Sequence, residues 1–177
     1  RAVSLDGQTQ LSFANVGSFD ARQAFSFAVW LRPSIGKIGN YAFQKISDEQ
    51  TRRGFELLFE KTHLIDIQRY GAPLTIRLTA NWPNDLIQVR TKDSFNNGEW
   101  KHLAITYDGS GKAAGIKVFF NGKAVELEAE IDSLSGSIKN DAELFIGSKA
   151  TGRAYSGSID DLRLYDCALR SEERRVG

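Results

Sequence analysis

Residues 100–125 read WKHLAITYDGSGKAAGIKVFFNGKAV, and the changes of rhythm within them decide the fold. Leu103, Ile105 and Tyr107 alternate with His102, Ala104 and Thr106. A strand with one buried face requires that period of two, because successive side chains leave a pleated backbone on opposite sides. Asp108-Gly109 breaks the alternation, a glycine-rich loop runs to Gly115, and Ile116, Val118 and Phe120 resume it. Asn121-Gly122 then supplies two residues that tolerate positive φ, as a type I′ hairpin turn demands, before Ala124, Val125 and Leu127 return. The stretch predicts three antiparallel strands lying side by side.

The same rhythm continues in both directions. Phe25, Phe27, Val29 and Leu31 line one face of a strand that Pro33 closes, with Ser26, Ala28, Trp30 and Arg32 on the other. Ala2–Leu5, Leu11–Val16, Tyr41–Ile46, Phe55–Phe59, Leu64–Tyr70, Leu74–Leu78 and the Ile87/Val89 pair read as further strands. Residues 81–85, NWPND, form a turn around Trp82, since proline flanked by Asn and Asp cannot continue a ladder. Later, Glu126, Glu128 and Glu130 share one solvated strand face opposite Leu127, Ala129 and Ile131, and Ala142–Ile146 and Ser158–Tyr165 are the last strands. Ala168–Arg175 carries the one helical pattern, short and charged. Many short strands and a single terminal helix argue for an all-β sandwich of two antiparallel sheets, one domain over residues 1–177. Phe27, Val29, Leu103, Ile105, Val118 and Leu162 are expected inside it, with Trp30 and Trp100 also packed in the core and His102 hydrogen-bonded on the sheet.

Composition bounds the function. Lys and Arg number 23 against 22 Asp and Glu, a net charge of +1, so no bulk field draws in nucleic acid or an anionic membrane. Cys167 is the only cysteine, which excludes an internal disulfide and a thiolate metal cluster. No apolar run approaches the ~20 residues of a membrane span, and nothing at the start resembles a signal peptide. A chain that opens on Arg1 and contains no methionine is expected to be a module of a longer polypeptide.

Three stretches carry a family resemblance. Trp100-x-His102 followed by an aliphatic strand, TYDGS and the FNGK hairpin is similar to the laminin G-like, concanavalin A-like jelly-roll family. FSFAVWLRP, residues 25–33, resembles that family's early core strand, and residues 146–173, IGSKATGRAYSGSIDDLRLYDCALRSEE, resemble its closing strand and short terminal helix. The phrasing of residues 91–118 is closest to laminin G-like modules of large bacterial proteins that also carry cytochrome-c-like domains. The resemblance implies a concanavalin A-like jelly roll with a short C-terminal helix. It also implies an extracytoplasmic setting, periplasmic, cell-surface or secreted.

The candidate chemistry is sparse. Relatives that bind calcium use the matching aspartate of the closing strand, so the resemblance extends a metal role to Asp160 and to Asp6 in the tight turn near the start. Calcium takes six to eight oxygens, which carboxylates and turn carbonyls supply. The competing reading has Asp160 accepting backbone hydrogen bonds and Asp6 making an Asx-turn. Trp82, Tyr70, Arg69, His63, Arg153 and Tyr155 fall in or beside expected turns, where aromatic faces can stack on sugar C–H groups and polar edges can bind hydroxyls. Loop aromatics also cap the ends of sandwich cores.

Hydrolases of this fold place two carboxyls on one strand in an E-x-D-x-x-E pattern, about 5 Å apart when they retain configuration. Glu56 and Glu60 in ELLFE lack the central aspartate, and an alternating acidic strand such as 126–130 belongs at a solvated edge. His63 and His102 lie in no nucleophile motif, and GSGKAAG joins strand to strand without a helix to receive phosphate. The expected function is therefore non-catalytic recognition of a carbohydrate or glycoprotein surface within a larger extracytoplasmic protein. The alternative is a docking or spacer domain that holds neighbouring domains of its parent protein. Neither nucleic-acid binding nor membrane insertion is expected.

Overall fold

The computed structural model describes residues 2–34, 41–59, 71–95, 98–147 and 155–170. In chain order its strands are β1 Val3–Asp6, β2 Leu11–Phe13, β3 Phe25–Pro33, β4 Tyr41–Ile46, β5 Gly54–Phe59, β6 Ala72–Asn81 and β7 Asp85–Phe95. They continue as β8 Lys101–Tyr107, β9 Ile116–Phe120, β10 Lys123–Val125, β11 Leu127–Asp132, β12 Leu144–Ile146 and β13 Ser156–Tyr165. These make two antiparallel sheets, one of six strands in the order β1-β13-β3-β8-β9-β10 and one of seven in the order β11-β7-β6-β5-β4-β12-β2. The protein is a jelly-roll sandwich.

The two inner faces follow from the alternation. Phe25, Phe27, Val29 and Leu31 from β3 meet Phe55, Leu57 and Phe59 from β5 across the interior, all buried. Phe19 stacks on Phe25 at 4.6 Å between centroids, and Phe27 lies 4.8 Å from Phe55. Truncating one of these rings to alanine would cost about 3–5 kcal/mol in lost transfer energy and cavity. Leu103, Ile105 and Val118 are buried as expected, and Leu162 packs partly buried against them. The expected trio of adjacent strands is β8-β9-β10, with Asn121 and Gly122 at φ 48° and 77° making the tight turn.

Several expectations need correction. After β10 the chain does not continue as one strand. It leaves the six-stranded sheet at Val125 and enters β11, the edge of the other sheet, after the single residue Glu126. Among the described residues the one helix is a 3-10 turn, Ala113–Gly115. Ala168–Arg170 carry no helix, and the rest of the expected terminal helix lies outside the described residues, as does the strand expected at 64–70. No helix among the described residues is long and apolar enough to cross a membrane. Trp100 is 37% exposed rather than core, and Trp30 is half-buried on the outer face of β3. Parity explains Trp30: Val29 and Leu31 point inward, so the residue between them cannot.

Candidate functional site

The outer face of the six-stranded sheet brings together side chains from β1, β13, β3 and the start of β8. Ser4 pairs with Ser158, Ser158 with Arg32, and Trp100 follows in register one residue before Lys101. Two residues along, Asp160 pairs with Trp30 and Trp30 with His102. Strand spacing and rise make this a patch with two parallel rows about 7 Å apart. The first row is polar and cationic, ending in an indole. The second sets a carboxylate, an indole and an imidazole side by side.

Contacts hold these groups in place. Ser4 and Ser158 share a hydroxyl hydrogen bond of 3.1 Å, Arg32 Nη2 donates to Ser158 Oγ at 3.3 Å, and the guanidinium sits 5.3 Å from the Trp100 ring centroid. His102 meets Trp30 edge-on at 5.4 Å. It is 8% exposed and its Nδ1 has no hydrogen-bond partner among the described residues, and burial holds its pKa below the ordinary value, with Asp161 opposing and Arg163 assisting. Asp160 Oδ1 accepts the Asp161 N–H at 2.9 Å. Asp161 itself lies at φ 50° in a bulge where it and Leu162 together oppose one residue of β3, and its carboxylate accepts from Arg163 Nε at 2.8 Å. Bulges of this kind re-aim side chains on the face that carries them. Trp30, Trp100 and Asp160 line an open cavity of about 270 Å³. Arg32, Ser4, Ser34 and Ser158 line a neighbouring one of about 410 Å³.

The outer face of the seven-stranded sheet is organised differently. Gln44, Glu56, Arg77 and Gln88 pair across β4, β5, β6 and β7. The buried Glu56 carboxylate accepts Gln44 Nε2 at 2.9 Å and both Nε and Nη2 of Arg52, with Arg77 Nη1 at 4.0 Å. Arg77 Nε reaches Gln88 at 2.6 Å, and Gln88 Nε2 reaches Glu130 at 2.6 Å. Trp82 lies beside this network, its centroid 5.9 Å from the Arg52 guanidinium and 5.2 Å from that of Arg77. The acidic strand is likewise engaged: Glu126 pairs with Lys92 at 2.9 Å, and Glu128 with Arg90 at 2.9 Å.

The residues expected from sequence fare unequally. Tyr155 is 1% exposed and its ring stacks on Phe59 at 5.8 Å, so it belongs to the core rather than to a surface turn. Trp82 is half-buried, with two arginines at its ring. Tyr70, Arg69, His63 and Arg153 lie outside the described residues. Asp6 pairs in register with Ser156, four residues along β13 from Asp160, a separation of about 13 Å that keeps the two carboxylates from one cation. Asp6 Oδ1 accepts the Gln8 and Thr9 N–H groups at 2.9 and 2.7 Å, which lowers its pKa to about 2 and matches the Asx-turn reading. Among the described residues no three of His, Cys, Asp and Glu converge as metal ligands. Sequence reasoning missed the Trp30–Trp100 patch, although the polar face Ser26, Ala28, Trp30, Arg32 was visible in the alternation.

The chain belongs to the concanavalin A-like lectin/glucanases superfamily, whose Laminin_G_3 model matches residues 5–173. Among solved structures it is similar to the native heptameric SAP-like pentraxin of Limulus polyphemus, at 16% identity and TM-score 0.68, over 98% of this chain and 79% of that one. It is similar to domain 4 of AbnA, a GH43 extracellular arabinanase of Geobacillus stearothermophilus, in complex with arabinotriose. There the identity is 21% and the TM-score 0.63, over 98% and 74% of the two chains. It also resembles the CBM40 of the Ruminococcus gnavus IT-sialidase bound to α2,3-sialyllactose, at 14% identity and TM-score 0.67, over 97% and 93%. At these identities the likeness is one of fold. A comparison with curated proteins finds no match.

Proposed function

We propose that the chain is a non-catalytic carbohydrate-recognition module of a larger extracytoplasmic protein, binding its glycan across Trp100, Trp30, Arg32, Asp160 and Ser158. The observation that carries this reading is the open cavity where two indoles meet a carboxylate, with a second cavity edged by hydroxyls and by Arg32, whose guanidinium lies on the Trp100 ring. Sugars present apolar C–H faces and a rim of hydroxyls, which rigid aromatic surfaces flanked by charged and polar groups complement. Sugar-bound neighbours such as the arabinanase domain and the CBM40 support a binding role for this fold. The carboxylates of the opposite sheet are tied into ion pairs rather than set as an acid/base couple, which supports the absence of hydrolysis.

A glycan array probed with the wild-type chain and with Trp100→Ala tests the reading. Binding to a glycan class that disappears in the variant, with an unchanged melting temperature, is expected. Failure to bind any glycan, or binding indifferent to Trp100, would overturn it. The second reading, docking on a neighbouring domain of the same polypeptide, is favoured by a separate observation. An open cavity of about 610 Å³ between the sheet edges is lined largely by apolar groups, including Val118, Ala124, Val125 and Leu127.

A further inference from the structure

We infer that the glycan taken by this face is acidic, with a sugar carboxylate held by the Arg32 guanidinium and the hydroxyls beside it. This rests on the glycan-binding reading above and names the chemistry of its ligand. Among the described residues, Arg52, Arg77, Arg90 and Arg163 each lie in an ion pair with a carboxylate. Arg32 is exposed, and its guanidinium meets an indole and a hydroxyl instead. It lines the cavity of about 410 Å³ together with Ser4, Ser34 and Ser158, and among the described residues no acidic side chain lines that cavity.

A guanidinium offers five N–H donors in one plane. Ser158 Oγ takes one of them, from Nη2 at 3.3 Å, and the Trp100 ring, its centroid 5.3 Å away, restrains the group. Even were the ring to take a second donor, most of the five remain, and a restrained planar fork suits the two oxygens of a carboxylate. The hydroxyls extend the site. Ser158 accepts from Arg32 and shares a 3.1 Å hydrogen bond with Ser4, so that with Ser158 donating onward the Ser4 proton is left for a ligand oxygen. Asp160 orients the ligand from the other end. Its carboxylate lies two residues along β13 from Ser158, about 7 Å away, and repels an anion there, which directs the charged group of the sugar towards Arg32. Bulk attraction does not produce such a preference, because a net charge of +1 draws polyanions weakly.

The test titrates oligogalacturonate and oligomannuronate, each against its fully methyl-esterified match, by calorimetry at about pH 7, where the free acids are ionised. A sulfated galactan oligomer is the third arm. The wild-type chain should bind at least one acid about tenfold or more tightly than its ester. In Arg32→Gln the acid should fall to the affinity of its ester. The readout is that ratio, which loss of the ring contact alone leaves unmoved. Arg32→Lys keeps the charge without the fork and should keep part of the preference. Equal affinity of acid and ester, a ratio that survives in Arg32→Gln or is fully kept in Arg32→Lys, or binding confined to the sulfated oligomer would overturn the inference. If acid and ester bind equally and Trp100→Ala abolishes both, only the acid assignment falls and the glycan reading stands. If no glycan binds at all, both fall.

Discussion

The two outer faces of this sandwich are built from the same kinds of residue and do opposite things with them. Each carries tryptophan, arginine and a carboxylate. On the seven-stranded sheet the Glu56 carboxylate is enclosed by Gln44, Arg52 and Arg77, and Trp82 stands against the arginines. On the six-stranded sheet Trp100 is exposed and Asp160 and Trp30 open onto empty volume. A ligand at the first face would have to break charge-assisted hydrogen bonds that already exist, whereas at the second it fills space. Composition alone does not make a binding site. What differs is exposure: Glu56 is buried among its partners, whereas Trp100 and the cavity beside it are open.

The largest expected effect comes from attacking the closed face. Glu56→Ala leaves the Arg52 and Arg77 side chains, 13% and 14% exposed, without the carboxylate between them. Removing one partner of a buried pair costs about 3–5 kcal/mol, so the urea midpoint should drop steeply. A shift equivalent to less than about 1 kcal/mol would mean that solvent reaches these groups and the contrast is overdrawn.

Trp100→Ala should do the reverse, leaving the urea midpoint nearly unchanged while weakening glycan binding by about 2 kcal/mol, roughly 30-fold, as loss of a central aromatic anchor does. Comparable losses in stability and binding would show that the indole is structural after all. Trp82→Ala sharpens the comparison from the other side. Two cation–π contacts at partly exposed sites are worth about 1 kcal/mol together or somewhat more, so stability should fall by that amount with glycan affinity intact.

The smallest effect concerns pH. Burial lowers the His102 pKa in the fold, so the unfolded chain takes up its proton first as pH falls. Stability from this group is complete above the ordinary histidine value of about 6.5 and is lost as pH drops towards the folded value. The difference in melting temperature between wild type and His102→Gln should therefore move against the wild type on acidification. A constant difference across that range would place the imidazole in water.

Much of the fold was legible because alternation is a local signal. Phe25, Phe27, Val29 and Leu31 announced their own inner face, and Asn121-Gly122 its turn. The site was less legible for two physical reasons. For Trp30, the size of the ring argued inward and its parity outward, and parity won because the backbone cannot turn one residue in three around. Trp100 sits before its strand begins, so no alternation constrained it. The distance between Asp6 and Asp160 was hidden for another reason: register is a property of two strands, and each two-residue slip moves a partner by about 7 Å while leaving the pattern of either strand unchanged. The acidic face of residues 126–130 was read correctly as wet, yet its partners Lys92, Arg90 and Gln88 lie on β7, which nothing in the local sequence names.

The bulge at Asp161 has a consequence for how this surface can be altered. Before it, Ser158 and Asp160 face out and Ile159 faces in; after it, Arg163 pairs with Ala28 on the outside and Leu164 with Phe27 on the inside. The extra residue acts as a phase shifter, letting one strand satisfy two alternations that are out of step. Straightening the strand with every residue kept would force a choice between keeping Leu164 in the core and keeping Asp160 at the cavity, since a regular strand of that length cannot do both. Which side chains face outward is thus written in a residue count as well as in their chemistry. A single inserted residue that no bulge absorbs would turn the outward side chains on one side of it toward the core, whereas removing the extra residue would leave the same side chains facing out.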